Sequence, residues 1–296
     1  MATTSSTPSP PTQTPTPRLL AIPQPLRRLF NAFPLQTLPP NALPHRAPPS
    51  TTTTTTTSSS SIPRLYIFTD NADDGRPSYN PSCLKAQAAL RIAGVHVHVE
   101  PSNNHASPSG ALPFLLTETG QVLAGGKIFD LARARGALPT VKDAKIQAYR
   151  ALLDNAVRPA WLYALYLNPR NATLLARLYL PSNPLLAVPT STTLTQAASA
   201  EILKTTRTAL INPLHLLSSY REALDALSTL LGEHDWFFGD AVGLFDAEVF
   251  AYTWLVGSLA WDDGAMEEVL QEFGNLVRHR ERLYQRCWGH VGEKVS

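Results

Sequence analysis

A run of threonine and serine from Thr51 to Ser61 divides this chain of 296 residues into two parts of different composition. The first 61 residues contain 13 of the 26 prolines and four arginines, but no Asp or Glu. A segment of this kind buries too little apolar surface to offset the entropy that ordering costs. We therefore expect residues 1–61 to be a mostly disordered arm and linker, and ordered structure to begin near Ile62.

The composition of the remaining residues bounds the class of protein. They carry 21 basic and 23 acidic side chains and no nucleic-acid-binding motif, so we expect no nucleic-acid partner. Cys83 and Cys287 are the only cysteines, too few for a disulfide framework or a cysteine zinc site. Because no run of about 18 apolar residues occurs, the sequence predicts a soluble or peripherally attached protein rather than a membrane-spanning one.

One part of the arm differs from the rest. Residues 26–35 concentrate leucine, phenylalanine and two arginines. Two interpretations stay open: a disordered patch with chance apolar content, or a docking arm that orders on a partner or a membrane surface. The second makes Arg27, Arg28, Phe30 and Phe33 candidate contacts. The arm lacks the pattern of a transit or signal peptide, so we expect no secretory route.

Residues 62–138 show the alternation of a small α/β domain. Apolar, β-branched runs predict strands, and Asn80 followed by Pro81 predicts the start of a helix that Gly94 ends. The predicted elements are a strand at 64–68, a helix from 81, strands at 95–99, 112–116 and 121–123, and a helix at 128–135.

Residues 139–296 are periodic in the manner of helices. The predicted helices span 141–167 with a bend near Pro159, then 171–180, 196–210, 213–231, 246–259 and 275–288. The segment 181–195 holds three prolines and many Ser and Thr, so we predict an exposed loop there.

The order of the elements carries a first resemblance. Strand, helix, three strands and helix, with Pro113 opening the third strand, resembles a thioredoxin-like domain. Followed by a helical bundle, it resembles the glutathione-transferase fold, α/β plus all-α. The resemblance implies a cis bond between Leu112 and Pro113. The segment from Trp236 to Asp246 is also similar to a capping box of that fold, but Gly243 replaces the usual Ser or Thr, so we expect half of its hydrogen bonds.

Two motifs carry a more specific resemblance. Residues 83–87 read Cys-Leu-Lys-Ala-Gln, and residues 102–115 read Ser-Asn-Asn-His-Ala-Ser-Pro-Ser-Gly-Ala-Leu-Pro-Phe-Leu. Together they resemble the signature of the metaxin family. The Asn-Asn-His-Ala version, and Phe-Asn-Ala-Phe-Pro-Leu at residues 30–35, are similar to the smaller metaxin-like subunit of the fungal mitochondrial sorting and assembly machinery.

This resemblance implies a function and partners that composition does not show. It implies a peripheral receptor and scaffold subunit on the cytosolic face of the mitochondrial outer membrane, without catalytic, cofactor or metal sites. The implied partners are the membrane-embedded barrel assembly protein, a second metaxin-like subunit, and β-barrel precursors bound through their β-signal. A metaxin-like adaptor in another complex, and a glutathione-transferase or glutaredoxin-like enzyme, remain alternatives.

The enzyme alternative depends on the start of the first helix. In enzymes of this fold the catalytic Ser, Cys or Tyr lies there, and Asn80 holds the nucleophile's place of Cys-Pro-x-Cys. Cys83 occupies the resolving position, which favours a structural thiol over a reactive one. Tyr79, Ser78 and Ser82 are the remaining hydroxyl candidates. Residues 124–127 read Ala-Gly-Gly-Lys where related enzymes hold the glutamyl carboxylate with Ser and an acidic residue.

Other candidate sites lie outside the helix start. The backbone beside Leu112 and Pro113 could bind a peptide by strand addition, with Asn103, Asn104 and His105 in the adjoining loop. His96, His98 and His105 could suggest a metal site, but no carboxylate or thiolate is spaced to join them. The last helix carries several arginines and His279, which predicts a solvated face or contact with lipid head groups.

Overall fold

The structure is a computed structural model of the 296-residue chain. It describes residues 62–70, 75–136, 138–139 and 144–289. The arm predicted over residues 1–61 lies outside these described residues. The candidate contacts in that arm are Arg27, Arg28, Phe30 and Phe33, and they remain predictions.

Four short strands form one mixed sheet in the order β2-β1-β3-β4. β1 (Arg64–Ile67) runs parallel to β2 (His98–Pro101) and antiparallel to β3 (Phe114–Leu116). β3 in turn pairs antiparallel with β4 (Val122–Ala124). One helix lies between β1 and β2 in the chain and another follows β4, so the predicted order of strands and helices is confirmed.

The second strand begins three residues later than predicted. The N–H of Val95 donates to the carbonyl of Leu90 at 2.9 Å, so Val95 belongs to the turn that ends the preceding helix. The ladder opens instead where the N–H of His98 donates to the carbonyl of Pro63 at 2.8 Å. Alternating valines predict a strand, but they do not show where the helix cap releases the chain.

The two helices of this domain are α1 (Pro81–Ile92) and α2 (Gly126–Arg135). Asn80 caps α1 and Pro81 occupies its first position, as predicted. Gly94, with φ of 72°, follows its end in a conformation that glycine adopts without a steric cost. Leu84 and Leu90 are fully buried, and α1 lies between the sheet domain and the helical domain.

The described chain from Ala144 onward is mostly helical. Turns of π-helix at Leu153–Val157 and Tyr163–Leu167 lie on either side of Pro159, within the helix predicted over residues 141–167. The bounds are α3 (Lys145–Leu152), α4 (Arg158–Leu162), α5 (Ala172–Tyr179), α6 (Pro184–Thr206), α7 (Pro213–Leu231), α8 (Leu244–Ser258), α9 (Ala265–Gln271) and α10 (Gly274–Trp288). Among the described residues, no helix combines the length and the apolar content that crossing a membrane requires.

The loop predicted over residues 181–195 is wrong, because α6 starts at Pro184. Asn183 caps this helix by accepting the N–H of Leu185 at 3.0 Å, so the Asn-Pro start of α1 recurs here. Pro189 lies inside the helix and removes one of its hydrogen bonds. The short helix α9 was not predicted either.

α8 is fixed at its start by a buried carboxylate. Asp246 accepts the N–H of Gly243 at 2.7 Å and the N–H of Phe237 at 2.9 Å. It also lies 2.9 Å from the Nε2 of His279 on α10, and both side chains are buried. Gly243 has no side chain with which to accept a bond in return, so the half capping box predicted from the sequence is confirmed.

The two domains meet along α1. α1 packs against α8, and its last turn reaches α10 through Arg91. The Arg91 guanidinium donates to the carbonyls of Cys287 at 2.6 Å and Gly75 at 2.9 Å, and it lies 4.8 Å from the ring centroid of Trp288. These contacts fix the last turn of α1 relative to the helical domain.

Candidate functional site

A groove of about 470 Å³ lies between the start of α1, the loop before β3 and the start of α2. It unites the three segments that the resemblance to glutathione transferases singled out. Its lining is mostly apolar and consists of Ser82, Lys85, Ser109, Ala111, Leu112, Pro113, Ala124, Gly125 and Phe129. The Lys85 ammonium lies 5.1 Å from the ring centroid of Phe129, at the edge of this groove.

The loop before β3 is held by its own side chains. The Oδ1 of Asn103 accepts the N–H groups of His105 at 3.0 Å and Ala106 at 3.3 Å, which caps a short 3₁₀ turn at Asn104–Ala106. The hydroxyl of Ser107 donates to the carbonyl of Ala111 at 2.7 Å. The polar residues of this motif therefore shape one wall of the groove, whereas the His105 side chain is exposed.

The peptide bond between Leu112 and Pro113 is cis, as predicted. Leu112 is buried and Pro113 is half-buried at the groove. The N–H of Leu112, however, donates to the Oδ1 of Asn104 at 3.0 Å. Strand addition at Leu112 would need this N–H, so a peptide that pairs there must first displace Asn104. The groove is ready for apolar side chains rather than for main-chain pairing at this residue.

Asn80 is fully engaged at the place of the catalytic residue. Its Oδ1 accepts the N–H of Ser82 at 3.1 Å and that of Cys83 at 3.3 Å. Its Nδ2 donates to the phenol oxygen of Tyr179 on α5 at 3.1 Å. The side chain thus fills the helix start with a neutral amide and ties it to the helical domain.

Most of the thiol and hydroxyl groups next to Asn80 are unsuited to act as nucleophiles. Burial opposes the ionisation of two of them, and a third is already engaged in hydrogen bonds. Cys83 is fully buried, and burial raises the pKa of its thiol to about 12. Burial also raises the pKa of Tyr79 to about 12. The Ser78 hydroxyl donates to the carbonyl of Phe68 at 2.5 Å and accepts the N–H of Asn80 at 3.2 Å. Ser82 is the one of the four that is exposed and lines the groove.

The start of α2 offers backbone but no acidic or hydroxyl side chain. Gly125 precedes the helix with φ of 56°, and nothing lies within 4 Å of the place where a Cβ would project from Gly125 or Gly126. Both glycines and Lys127 are exposed. The side-chain contacts that related enzymes make with the glutamyl end of glutathione have no counterpart at these positions.

A second cavity of about 280 Å³ lies between α1 and the helical domain. Glu248 of α8 is buried there and accepts the Nε of Arg150 at 2.9 Å, while the Nζ of Lys85 lies 3.7 Å away. Arg158 contacts Glu201, and the pKa of Arg158 is raised because this hydrogen bond and Tyr252 outweigh the lowering by burial. Lys85, Arg150 and Glu248 therefore form an ion-pair cluster at this cavity, in which Lys85 provides the contact between the two domains.

Comparison with known proteins identifies the fold to which this geometry belongs. Residues 81–171 match the family model described as "Glutathione S-transferase N-terminal domain", and residues 220–283 match "Glutathione S-transferase, C-terminal domain". Gtt2 from Saccharomyces cerevisiae has a TM-score of 0.47 at 15% identity, covering 75% of this chain and 96% of that chain. The two family models, together with the order of the elements, identify the glutathione-transferase-like fold that was predicted.

Two curated relatives share one family name. Metaxin-3 of Xenopus laevis is 29% identical over 61% of this chain and 63% of its own length. Metaxin-1 of Macaca fascicularis is 27% identical over 78% of this chain and 77% of its own length. The chain belongs to the metaxin family. It spans 63% of the length of the Xenopus metaxin, less than two thirds.

The histidines considered for a metal site do not form one in this metaxin-family chain. His96 and His98 are exposed, and the Nε2 of His98 lies 3.4 Å from Glu100. Within the described ranges, no group of three or more His, Cys, Asp or Glu side chains is placed to hold a metal ion. His96 precedes β2, His98 lies on β2, and His105 lies in the loop before β3.

The basic last helix of the metaxin-family chain is partly neutralised. His279 is buried against Asp246, Arg280 pairs with Glu281 at 2.9 Å, and Arg282 pairs with Asp235 at 3.1 Å. The helix therefore presents fewer free cations to a lipid head group than its sequence suggests. The prediction of lipid contact at this helix remains untested.

The sequence did not reveal the cross-domain cluster of Lys85, Arg150 and Glu248. Lys85 belongs to the Cys-Leu-Lys-Ala-Gln motif. This motif carries the family resemblance, but it does not indicate that Lys85 has a charged partner. Glu248 lies two residues after Asp246 in a helix that is otherwise apolar at its start, and an acidic residue in a buried helix is the signal that could have found it.

Proposed function

We propose that the chain is a peripheral receptor and scaffold subunit of the mitochondrial outer-membrane sorting and assembly machinery, on the cytosolic face. Membership of the metaxin family supports a role of this kind. The single observation that carries the non-enzymatic role is the bond from Asn80 to Tyr179, because an amide that caps a helix and bridges two domains has no proton to exchange in catalysis.

The proposed partners are the membrane-embedded barrel assembly protein, a second metaxin-like subunit and β-barrel precursors. Affinity purification of the tagged full chain from a mild-detergent mitochondrial extract, with mass spectrometry, tests the first two. An alkaline carbonate wash of the membranes tests peripheral attachment. We expect recovery with the barrel assembly protein and release into the wash. Recovery of the chain alone from cytosol would contradict the proposal.

The groove is the proposed contact for a precursor. Because the Leu112 N–H is already bound by Asn104, we propose that the groove receives apolar side chains of the β-signal between Leu112, Pro113 and Phe129. Ala111 lines the groove and is exposed, so Ala111→Trp would fill the space without removing a side-chain hydrogen bond. We expect this variant to lose photocrosslinking to a β-barrel precursor.

A matched control is Ala200→Trp, which adds the same side chain at an exposed position of α6. The control should crosslink as the native chain does. If Ala111→Trp crosslinks as well as the control, the groove is not the precursor site. Asn104→Ala and His105→Ala provide a second pair, in which we expect only the first, with its bond to the groove wall, to lower crosslinking.

The arm is proposed to anchor the chain through Arg27, Arg28, Phe30 and Phe33. Deletion of residues 1–61 removes all four and leaves the sheet and helical domains whole. We expect the shortened chain to be recovered with the complex at reduced yield. Full recovery would show that the arm is not an anchor.

A glutathione-dependent enzyme is the second candidate, because Ser82 is exposed at the groove beside a helix start. An enzyme of this kind would conjugate glutathione to an electrophile, and Ser82→Ala would abolish the reaction. We expect the purified chain to show no conjugation above the uncatalysed rate. Turnover that depends on Ser82 would replace the receptor proposal. A third candidate, an adaptor role in another complex, predicts recovery with different membrane proteins in the same purification.

A further inference from the structure

The start of α6 presents an exposed apolar tip. Leu185 is 83% exposed, Val188 is 69% exposed and Leu186 is 37% exposed, which places all three among the exposed large hydrophobic residues of the described chain. The sequence contains no Asp, Glu, Lys or Arg from Leu178 to Ala200, so the tip and the turns around it carry no charge. We refer to Pro184–Val188 as the α6 tip.

The backbone of the α6 tip has its donors satisfied within the tip. A helix normally leaves its first four N–H groups without a partner. Here Pro184 has no N–H, and Leu185 donates to the Oδ1 of Asn183 at 3.0 Å. Leu186 and Ala187 donate to the carbonyl of Asn183 at 3.0 and 2.9 Å. This helix start can therefore leave water without burying an unpaired donor.

The hydroxyl groups of the next turns are satisfied in the same way. Thr190 donates to the carbonyl of Leu186 at 2.7 Å, and Thr192 donates to that of Val188 at 3.0 Å. Thr193 donates to the carbonyl of Pro189 at 2.9 Å. The hydroxyls of these three threonines donate to the helix backbone, so they do not need water as a hydrogen-bond acceptor.

We propose that the α6 tip docks on the surface of a lipid bilayer, with Leu185 and Val188 at the boundary between head groups and acyl chains. Protein interfaces are enriched in aromatic residues, Met and Arg, and they carry direct hydrogen bonds between the partners. The tip has none of these residue types, and its backbone donors are already used. Contact with a bilayer requires only apolar surface and backbone groups that are already hydrogen-bonded.

Two features set the depth and orientation of this contact. Pro189 cannot donate to the carbonyl of Leu185, so that carbonyl must stay within reach of water or head groups, and the insertion is shallow. Arg177 lies in the last turn of α5, just before the tip along the chain, and is exposed. It is the last charged residue before the uncharged stretch that holds the tip, and its charge would complement anionic head groups.

The inference goes beyond the proposed function, because the tip can contact lipid whether or not the chain serves barrel assembly. The test therefore uses the purified full chain and vesicles, with no other protein. Flotation with phosphatidylcholine vesicles, with and without phosphatidylserine, measures binding. We expect binding that the anionic lipid strengthens. A double variant, Leu185→Asp with Val188→Asp, should weaken it by at least about tenfold, since two exposed apolar side chains lose their transfer to the acyl boundary.

The matched control is Leu210→Asp with Leu214→Asp. These leucines are 82% and 79% exposed and lie near the other end of α6 and the start of α7. The control should bind vesicles as the native chain does. Equal loss in both double variants would overturn the assignment to the tip, and so would a native chain that does not bind vesicles.

A label reports the contact directly. Leu185→Cys and Leu214→Cys, each carrying an environment-sensitive fluorophore, can be compared on addition of the same vesicles. The native chain treated with the reagent gives the background, because Cys83 is buried and Cys287 is half-buried. We expect a shift to shorter wavelength at residue 185 only. No shift there, together with loss of a protein partner in the Asp variants, would identify the tip as a protein-binding site and overturn the proposal.

Discussion

The side-chain oxygen of Asn104 accepts the N–H of Leu112 at 3.0 Å, across eight residues of loop. Leu112 is buried, so this bond satisfies a donor beside the cis peptide bond that water does not readily reach. Asn104 itself is exposed. One exposed residue of the family motif therefore holds the buried Leu112 in the wall of the groove.

Asn104→Ala should destabilise the fold. The substitution leaves the N–H of Leu112 unpaired, which costs about 1–3 kcal/mol for a buried group. Chemical denaturation gives the free energy of unfolding. His105→Ala is the control, because that side chain is exposed, and it should stay within about 0.5 kcal/mol of the native chain. Equal effects of the two substitutions would contradict the structural role of Asn104.

Gly243→Ser should stabilise the chain. It completes the capping box that Asp246 half forms, and a Cβ at residue 243 meets its nearest atom, the Oδ2 of Asp246, at an ordinary 3.7 Å. We expect a gain of about 0.5 kcal/mol in the free energy of unfolding. Gly243→Ala adds the Cβ without the hydroxyl and should gain less. If both variants are equal, the cap contributes nothing.

Cys83 should make stability depend on alkaline pH. Burial raises the pKa of its thiol from an ordinary 9.0 to about 12, so the folded state holds this proton more tightly than the unfolded state. That stabilisation is complete below pH 9 and is lost as the pH rises from 9 towards 12. The free energy of unfolding should therefore fall with pH above 9, and Cys83→Ala should flatten part of that fall. If the free energy of unfolding falls with the same slope in Cys83→Ala and in the native chain, Cys83 does not contribute to this pH dependence.

The reactivity of Cys83 provides a separate test. A fully buried thiol of raised pKa reacts slowly with iodoacetamide at neutral pH, whereas the unfolded chain reacts at the rate of a free cysteine. Mass spectrometry of the alkylated peptides distinguishes Cys83 from Cys287. Rapid alkylation of Cys83 in the native chain would favour the enzyme alternative.

Glu248→Gln should cost more stability than Lys85→Met. Glu248 is buried and its carboxylate accepts the Arg150 guanidinium at 2.9 Å, so its loss leaves that cation without its partner, at about 2 kcal/mol. The Nζ of Lys85 lies 3.7 Å away on a side chain that is 33% exposed, which makes its contribution under about 1 kcal/mol. Thermal unfolding of the two variants shows which substitution costs more stability. The reverse order would make Lys85, and not Arg150, the main partner of Glu248.

Gly136→Ala should be strongly destabilising. A Cβ at this position would lie 2.1 Å from the carbonyl oxygen of Ala93, and backbone atoms on both sides must move to admit it. We expect a loss of about 2–3 kcal/mol. Gly126→Ala is the control, because nothing lies within 4 Å of its added Cβ at the start of α2. Its stability should be unchanged or slightly raised, since alanine has fewer unfolded conformations.

Local signals in the sequence predicted the sheet domain. Asn80 and Pro81 each satisfy a requirement of a helix start, so the start of α1 follows from neighbouring residues, whereas the cis bond at Pro113 follows from the resemblance to the fold. The β-α-β-β-β-α order followed from the same local patterns. The fold class needed no long-range information.

The features that the sequence did not predict depend on competing local preferences or on contacts between residues that are distant in the chain. Proline and threonine disfavour a helix at 184–195, but the cap at Asn183 and the hydroxyls that bond back to the helix outweigh that preference. The same Asn-Pro start had predicted α1 and could have been applied here. The contacts of Glu248 with Arg150 and of Asn80 with Tyr179 span 98 and 99 residues, and no local pattern specifies them.

The amide at Asn80 has one more consequence. A cysteine at that place would exchange its proton and electrons with its surroundings, so a thioredoxin-like domain normally reports the redox state of its compartment. An asparagine side chain neither titrates nor oxidises under those conditions, and Cys83 behind it is sealed from solvent. We therefore expect the geometry of this helix start to be the same in the presence of peroxide or of excess glutathione. A fold that carries redox chemistry in other proteins has, at this helix start, no redox-active group exposed to solvent.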